Sequence, residues 1–524
     1  MKEIDTSTFD FPGIIGNGFL YVDKTAFLGR LIQKLKGEYF LSRPRRFGKS
    51  LLVSTLKALF QGRRELFKGL AIDKMDYDWK EYPVFHVDFA NCEFSNAKEI
   101  KGFLLDMLDN FSREFDIPLR GQSYIAKFEN IIRDAAKTSL SGQVVVLIDE
   151  YDKPILSNID NLKHRDSILK VLKGFYSCIK KCEGKIRFAL ITGVSKFAHV
   201  SVFSDLNNLT DITLNSDYAE MLGFTEAEIR QYFADRIPLA AEANGCQSAE
   251  LMRQLLRWYD GYRFSDADTH VCNPVSISKF FNEKYRFTNY WDATGTPSFL
   301  LKLSMKEAYD YEAAMNEYYS DSIFGAYELD KLDLTGLLWQ TGYLTIKEVK
   351  QSPRGMRYRL GFPDLEVSDT FCLRLLEAYG KIDKARGDAL IEKFQDAIEE
   401  DDLNGFMTRF QAFLGGVNYE MHLPHEKYYQ TIFYVVFRLL GTTIEAESYT
   451  NAGRIDAYIR TATHIYIFEF KLNKTAETAI GQILDRRYYE KFRDENLPIT
   501  LVGVNFDSSK GQIDNWAETS VADK

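Results

Sequence analysis

The chain has 524 residues, and 66 lysines and arginines against 75 aspartates and glutamates give it a formal net charge of −9. This length exceeds what one hydrophobic core supports, which excludes a single domain and predicts roughly two to four. The acidic balance excludes nucleic-acid binding by bulk charge, so any such contact requires a local basic patch. No segment approaches the about 20 apolar residues of a membrane span, and no membrane association is predicted.

The first residues and the cysteines bear on location. Residues 1–11 include Glu3, Asp5 and Asp10 and contain no basic segment followed by an apolar one, so no signal peptide is predicted. The six cysteines include no C-x-x-C pair, and we interpret them as reduced, small apolar residues. The sequence therefore predicts a cytoplasmic protein.

Residues 39–213 alternate short apolar runs with longer amphipathic segments, a pattern typical of a parallel sheet with crossover helices. The predicted strands are residues 38–42, 84–89, 144–149 and 187–192. Each is apolar enough to be buried on both faces, as central parallel strands are. We assign residues 1–222 to an α/β domain built on this sheet.

A phosphate-binding motif follows the first predicted strand. Residues 43–50 have the sequence RPRRFGKS, and an apolar helix begins at its end, which is the context of a P-loop. Gly48 would let the backbone approach the phosphates of ATP, Lys49 would reach the β- and γ-phosphates, and Ser50 would ligate Mg²⁺. Arg43 occupies the position of the first glycine in G-x-x-x-x-G-K-[ST], which leaves a basic surface loop as the alternative.

Further side chains are candidates for phosphate contacts. Arg45 and Arg46 lie within the loop, with solvated loop charges as the alternative. Thr192 ends the fourth predicted strand, where its hydroxyl would sense the γ-phosphate; a simple strand-end turn is the alternative. Together with Arg43, these residues complete the predicted ATP-binding set.

An acidic pair follows the third predicted strand and resembles a Walker-B motif. Asp149 and Glu150 come directly after the apolar run at residues 144–148, at the edge of the sheet where ligands of α/β proteins bind. Asp149 would hold Mg²⁺, and Glu150 would polarise the attacking water. The alternative is that the two acids only cap the next helix.

The middle of the chain, residues 223–384, is predicted to be a helical lid and a connector. Thr225, followed by Glu226 and Glu228, is typical of a helix N-terminus. Residues 332–363 indicate a helix followed by a β-hairpin, which we interpret as winged-helix-like.

The last part, residues 385–524, is predicted to follow the order α, β, β, α, β, with a hairpin at residues 454–472, a helix at 478–493 and a strand at 499–505. Asp456 lies in the first hairpin strand, and Glu469 and Lys471 share a face of the second. Asp456 and Glu469 would hold Mg²⁺, while Lys471 would help to deprotonate the water that attacks a phosphodiester. A simple Glu469–Lys471 ion pair is the alternative.

Residues around this triplet support a nucleic-acid site. Glu426 opens the preceding helix and would add a metal ligand, and Gln482 and Tyr488 would touch a phosphate or the metal-bound water. Nearby basic residues form a candidate patch for nucleic acid, with DNA favoured. They are Lys474, Arg486, Arg487, Lys491 and Arg493, and a plain solvated helix face is the alternative.

Motifs along nearly the whole chain resemble a bacterial family that couples an AAA-ATPase-like domain to a C-terminal PD-(D/E)XK nuclease-superfamily domain. They are YVDKT at 21–25, RPRRFGKS at 43–50, IDEYDKP at 148–154, TGVSK at 192–196, WYDGYRF at 258–264, NP at 273–274, TGYLT at 341–345, GRID at 453–456 and FEFK at 468–471. In this family the first P-loop glycine is an arginine, so Arg43 looks like a family trait. Related nucleases carry a tyrosine four residues after the glutamine, where this chain has Arg486.

The sequence patterns and the resemblance together predict an α/β fold with a P-loop NTPase core, a helical and winged-helix-like middle region, and a restriction-endonuclease-like α/β domain at the C-terminus. It implies ATP binding at the first site and a nuclease fold at the second. Our leading hypothesis is an ATP-dependent, Mg²⁺-dependent nuclease or nucleic-acid-processing ATPase. The rivals are a nucleotide-controlled interaction protein and an ATPase whose C-terminal domain only grips nucleic acid; a homo-oligomer is compatible with each.

Overall fold

A computed structural model describes residues 1–34, 36–90, 92–196, 209–291, 298–306, 309–325, 333–380, 382–416, 426–440, 449–450, 453–454, 457–507, 509 and 512–521. The chain forms two compact units. The first unit comprises Met1–Ala293 and Glu317–Glu366, and the second comprises Thr294–Asn316 and Val367–Lys524. The domain boundaries predicted at residues 222 and 384 stay predictions.

Helices and strands alternate through most of the chain. The strands are β1 (Gly37–Ser42), β2 (Val84–Asp88), β3 (Val144–Asp149), β4 (Ile186–Gly193), β5 (Thr210–Asp211), β6 (Tyr318–Tyr319), β7 (Thr345–Ser352), β8 (Gly355–Gly361), β9 (Tyr449–Thr450), β10 (Gly453–Arg454), β11 (Ala457–Arg460), β12 (Ile465–Leu472), β13 (Ile499–Asp507) and β14 (Gln512–Ser520). The α-helices are α1 (Phe11–Gly16), α2 (Thr25–Ile32), α3 (Lys49–Phe60), α4 (Ala97–Phe115), α5 (Tyr124–Thr138), α6 (Lys153–Leu156), α7 (Leu162–Lys181), α8 (Glu226–Tyr232), α9 (Ile237–Ala243), α10 (Ser248–Tyr259), α11 (Pro274–Asn282), α12 (Ser298–Lys306), α13 (Tyr311–Asn316), α14 (Leu334–Thr341), α15 (Leu365–Gly380), α16 (Lys384–Glu399), α17 (Leu403–Gly416), α18 (Glu426–Leu439) and α19 (Ala476–Arg486). Short 3₁₀ helices are Arg64–Phe67, Ala71–Lys74, Glu183–Lys185, Ser216–Tyr218, Asp321–Phe324 and Tyr488–Glu495.

The core of the first unit is a parallel sheet with strand order β2-β3-β4-β1-β5. All six residues of β1 and of β3 are buried, because helices cover both faces of the sheet. The parallel sheet and its four predicted strands are confirmed, and β5 is an addition of only two residues. The topology brings the carboxyl ends of β1, β3 and β4 side by side, where ligands of α/β sheets bind.

The helix that follows the parallel sheet begins as its sequence predicts. The Thr225 hydroxyl accepts a hydrogen bond from the backbone N–H of Glu228, and the Glu228 carboxylate accepts one from the Thr225 N–H. This reciprocal pair satisfies two of the N–H groups that the first turn of α8 leaves open. It confirms the predicted N-cap at Thr225.

The later part of the first unit contains α14 and an antiparallel sheet of order β6-β8-β7. The helix and hairpin predicted at residues 332–363 are confirmed as α14, β7 and β8. Gly342 ends α14 with a φ of 90°, a left-handed conformation that glycine adopts without steric cost. The winged-helix-like assignment stays a prediction.

In the second unit β11, β12, β13 and β14 form a four-stranded sheet in that order, in which β12 and β13 are parallel, and β9 and β10 form a separate antiparallel pair. One face packs α19 against Tyr458, Ile465 and Ile467. The other face carries Phe468, whose ring contacts Phe437 of α18. Both faces of β12 are therefore covered, which explains its nearly continuous apolar sequence.

Two features of the second unit differ from the sequence-based expectation. The helix predicted at residues 478–493 ends at Arg486, because Arg487 adopts a left-handed φ of 52° and a 3₁₀ helix follows. The strand β14 was not predicted, since only Ile513 of its nine residues is buried and its sequence lacks apolar alternation. An edge strand of this kind carries little hydrophobic signal.

Within the described ranges, no helix is both long enough and apolar enough to span a bilayer.

Candidate nucleotide and nuclease sites

The P-loop joins the end of β1 to the start of α3. Gly48 caps α3 in the left-handed region with a φ of 87°, a conformation that favours glycine. Arg46 also has a positive φ, 66°, which is uncommon for a residue with a side chain. Leu52, Leu56 and Leu59 bury one side of α3, so its N-terminus is held at the edge of the sheet. An N-terminus in this position presents free N–H groups to an anion.

Lys49 lies inside the loop. Its side chain is buried, and Nζ donates hydrogen bonds to the carbonyl oxygens of Arg43 and Pro44, each at 2.9 Å. Burial lowers the pKa of Lys49, whereas the carboxylates of Glu150 and Asp149 act in the opposite direction. The ammonium is thus held at the loop by two neutral carbonyl acceptors, close to two acidic groups.

The acidic pair lies at the end of β3. Asp149 is 1% exposed, and its Oδ1 accepts hydrogen bonds from the Thr192 hydroxyl at 2.5 Å and from the Glu150 N–H at 3.0 Å. Glu150 has a φ of 50°, a strained value of the kind that clusters at functional sites. Burial raises the pKa of Glu150, the Lys49 ammonium opposes this, and the Asp149 carboxylate adds to the rise. Lys49, Asp149, Glu150 and Thr192 therefore interact in one place, and Ser50 follows Lys49 in the first turn of α3.

Arg43 points away from the mouth of the loop. Its side chain is 1% exposed, and Nη1 donates to the carbonyl oxygens of Thr213 at 2.7 Å and Ser42 at 3.0 Å. The guanidinium carbon lies 4.1 Å from the centre of the Phe264 ring. Burial lowers the pKa of Arg43 to about 9. The residue at the first-glycine position thus ties the loop to the interior of the first unit.

Replacing Arg43 with glycine, as in the common P-loop pattern, is expected to destabilise the protein by about 2–4 kcal/mol. The change removes the hydrogen bonds to the carbonyl oxygens of Ser42, Thr213 and Tyr218 and the ring contact, and it leaves the Thr213 carbonyl buried without its donor. Differential scanning calorimetry of the full chain measures the loss. Arg45→Gly is the matched control, because it adds the same backbone freedom at a half-buried position; equal unfolding temperatures for the two variants would contradict the assignment.

The other two loop arginines differ from each other. Arg46 Nη1 donates to the Tyr290 carbonyl oxygen at 2.7 Å. The Arg45 guanidinium is half-buried, and its charge acts on both Lys49 and Glu150. Arg45 is therefore the loop arginine whose charge acts on Glu150 of the acidic pair.

Sequence reasoning missed the aromatic side chains that pack against the P-loop. Phe47 is buried, with its ring centre 4.7 Å from that of Tyr262 and 5.2 Å from that of Phe264. A Cβ on Gly342 would lie 2.6 Å from Pro44, so only glycine permits this approach. The available signal was the WYDGYRF and TGY segments, which carry glycines and aromatics with no role in nucleotide chemistry.

Asp152 was also missed as a positioning residue. Its carboxylate accepts hydrogen bonds from the Ser195 N–H at 2.7 Å and the Ser195 hydroxyl at 2.6 Å, and from the Val194 N–H. A Cβ on Gly193 would lie 2.5 Å from the Tyr151 ring, so the turn after β3 packs tightly on the end of β4. These contacts fix Thr192 against Asp149. The signal was the third acid of the IDEYDKP segment.

An apolar cavity opens beside the P-loop. Its volume is about 1010 Å³, counted with the open solvent at its mouth, and Arg46, Phe47 and Gly48 form one wall. The opposite walls come from the first residues of the chain and from the segment that leads into α8. They include Ile4, Tyr21, Val22, Leu222, Phe224 and Phe233. A cavity that is lined mainly by apolar side chains and opens beside the phosphate-binding loop offers a place for a flat organic group.

In the second unit, Glu469 and Lys471 lie on one face of β12. Glu469 is 1% exposed, and its Oε1 accepts hydrogen bonds from Lys471 Nζ at 2.6 Å and from the Gln482 side-chain amide of α19. Asp456 lies outside the described residues. Glu426 is the first residue of α18, and its side chain is also outside the described part of the chain.

Tyr488 packs in the apolar core of the second unit, whereas Gln482 contacts Glu469. The Tyr488 side chain is 3% exposed and belongs to this core with Tyr458 and Ile483. All five residues of the predicted basic patch are exposed. Lys491 lies over the Tyr458 ring at 5.2 Å, and Arg487 is 3.4 Å from the Glu490 carboxylate.

Comparison with known proteins supports both domains. Residues 6–203 match the model of a predicted AAA-ATPase domain, and residues 424–516 match that of the PD-(D/E)XK nuclease superfamily. The chain is 35% identical over 503 residues to the "Uncharacterized protein in vnfD 5'region" of Azotobacter chroococcum mcd 1, an alignment that covers 94% of this chain and 93% of that protein. The chain belongs to this AAA-ATPase-like and PD-(D/E)XK family. This chain thus joins an AAA-ATPase-like domain to a domain of the PD-(D/E)XK nuclease superfamily in one polypeptide.

Proposed function

We propose that the protein binds ATP with Mg²⁺ at the P-loop and uses the nucleotide to control a metal-dependent nuclease in its C-terminal domain. The observation that carries this proposal is the arrangement of Lys49, Asp149, Glu150 and Thr192 at adjacent strand ends. Such a set matches the charges of a triphosphate and its metal ion. We expect the protein to act in the cytoplasm.

The residues of the first site would have separate roles in phosphate binding, Mg²⁺ binding and hydrolysis. Lys49 would exchange its two carbonyl acceptors for phosphate oxygens, which are stronger partners because they are charged. Ser50 and Asp149 supply the hard oxygen donors that Mg²⁺ prefers, and the ion would neutralise charge on the phosphates. Glu150 would take a proton from the attacking water, a role that its raised pKa favours.

The loop arginines and the cavity would complete the nucleotide site. Arg45 and Arg46 are the candidates for phosphate contacts, whereas Arg43 would hold the loop in shape through Thr213 and Phe264. The adenine base would enter the apolar cavity next to Gly48.

In the second site, Glu469 and Asp456 would hold Mg²⁺, with Glu426 as a further ligand. Lys471 would orient the attacking water and stabilise charge on the phosphate, and Gln482 would fix the Glu469 carboxylate. The exposed basic residues around α19 would bind the nucleic-acid backbone, with DNA as the favoured substrate.

A second candidate function is a nucleotide-controlled interaction protein whose C-terminal domain only binds. The hydrogen-bonded Glu469–Lys471 pair supports it, because a domain that had lost catalysis would also retain a satisfied buried ion pair.

Incubation of the full chain with plasmid, linear and branched DNA and with RNA, in Mg²⁺ or Mn²⁺, distinguishes the two functions. The nuclease proposal predicts strand scission whose rate changes when ATP is added, and loss of that ATP response in Lys49→Ala. Absence of scission on every substrate, with ATP binding intact, would favour the interaction protein.

A further inference from the structure

Arg46 connects the P-loop to a distant segment of the first unit. Its Nη1 donates to the Tyr290 carbonyl oxygen at 2.7 Å, across 244 positions of sequence. The same side chain belongs to the wall of the apolar cavity that also includes Gly48. A nucleotide in that cavity would therefore meet Arg46, and its phosphates would compete with a neutral carbonyl for the guanidinium.

The residue after Tyr290 is tied to a buried carboxylate. The Trp291 N–H donates to Glu366 Oε1 at 2.7 Å, and the Ser276 hydroxyl donates to Oε2 at 2.7 Å. Glu366 is 1% exposed. Burial raises its pKa to about 7, while its hydrogen bonds and the Arg46 charge act in the opposite direction. Arg46 and Glu366 therefore attract each other through the segment that both of them contact.

Glu366 occupies a special place in the chain. It is the second residue of α15, and it is also the last residue of the first unit, since the second unit resumes at Val367. An acidic side chain in the first turn stabilises a helix through its dipole. Glu366, whose carboxylate interacts electrostatically with Arg46 of the P-loop, thus lies at the start of the helix through which the chain enters the second unit.

We propose that Arg46, the Tyr290–Trp291 segment and Glu366 form a nucleotide-responsive link between the P-loop and the start of α15. The link regulates the nucleotide site at the P-loop, and this inference rests on the proposed function. Without nucleotide, Arg46 is held on the Tyr290 carbonyl and the first turn of α15 is fixed by Glu366. A bound nucleotide draws Arg46 to its phosphates, removes the cation that faces Glu366, and loosens that turn.

Thermodynamic reciprocity gives this link a signature that damage to the fold does not produce. If nucleotide binding has to open the link, then a variant in which the link is already weak binds nucleotide more tightly. Glu366→Gln is suited to this, because glutamine keeps the shape of the side chain and an acceptor for the Trp291 N–H but removes the charge. We expect its Kd for a non-hydrolysable ATP analogue with Mg²⁺, measured by titration calorimetry, to fall by about threefold to tenfold.

The matched control is Glu38→Gln. Glu38 is also a buried glutamate of the first unit, but it lies on β1 at the opposite end from the P-loop and pairs with Lys36 at 3.4 Å. Its substitution is expected to leave the Kd unchanged. Ser276→Ala removes one of the donors to Glu366 and is expected to tighten binding in the same direction, which keeps the test available if Glu366→Gln does not fold.

The outcomes separate the link from the function on which it rests. Tighter binding by Glu366→Gln or Ser276→Ala, with Glu38→Gln equal to wild type, supports the link. Equal or weaker binding by both network variants, while wild type binds the analogue, overturns the link and leaves ATP binding at the P-loop in place. No binding by wild type overturns the proposed function, and the link falls with it.

Discussion

Replacing Glu150 with glutamine is expected to slow ATP hydrolysis by about 100-fold to 10,000-fold, the range for loss of a positioned general base. Glutamine keeps the size of the side chain but cannot accept a proton from water. The ionised form of Glu150 is the active one, and burial raises its pKa. The acidic limb of the hydrolysis rate should therefore lie at higher pH than an ordinary glutamate would give. Steady-state phosphate release measured across pH tests both statements.

The control for this prediction is Glu65→Gln, since Glu65 is exposed and lies on a short 3₁₀ helix away from the strand ends. ATP binding should persist in the Glu150→Gln variant, because Lys49 and Ser50 are unchanged. Wild-type turnover by Glu150→Gln would contradict the role that we give to this carboxylate.

Glu469→Gln is expected to reduce metal-dependent cleavage of nucleic acid by about 1,000-fold. The buried carboxylate accepts hydrogen bonds from both Lys471 and Gln482 on one oxygen, so its loss removes a metal ligand and the group that positions Lys471. Glutamine still accepts these hydrogen bonds, so the fold should persist, although the free energy of unfolding should fall because Lys471 loses its charged partner. Plasmid nicking in Mg²⁺ and in Mn²⁺ measures the effect.

Two comparisons sharpen the cleavage experiment. Glu477→Gln changes an exposed glutamate in the first turn of α19 and should cleave at the wild-type rate. ATP hydrolysis should be unchanged in Glu469→Gln, because this residue belongs to the second unit. Cleavage by Glu469→Gln at the rate of Glu477→Gln would show that the active residues lie elsewhere.

Elements that depend on residues close together in the sequence could be predicted. The strands β1, β3 and β4 are buried, and each one has an apolar run at its centre, at residues 39–41, 144–148 and 188–191. The N-cap at Thr225 depends on residues three positions apart, and it too could be predicted. In contrast, β14 is stabilised by pairing with β13 and buries little of its own surface, so its sequence resembles a loop.

The side-chain roles that could not be predicted depend on partners far away in sequence. Arg43 looked like a phosphate contact from its position, whereas its partners Thr213 and Phe264 come from distant segments. The same holds for Asp152, which acts on the backbone of Val194 and Ser195. Spacing identifies which residues can perform chemistry, but the packing that directs each side chain follows from the whole fold.

The central claim is that a triphosphate binds where Lys49 meets Asp149 and Glu150. Calorimetric titration of the full chain with Mg·ATP tests it most directly, with Lys49→Ala beside wild type. We predict one nucleotide per wild-type chain and a loss of affinity of at least about 100-fold in Lys49→Ala, because alanine offers no charged donor to the phosphates. No heat from wild type, or equal affinity for the two proteins, would contradict the claim.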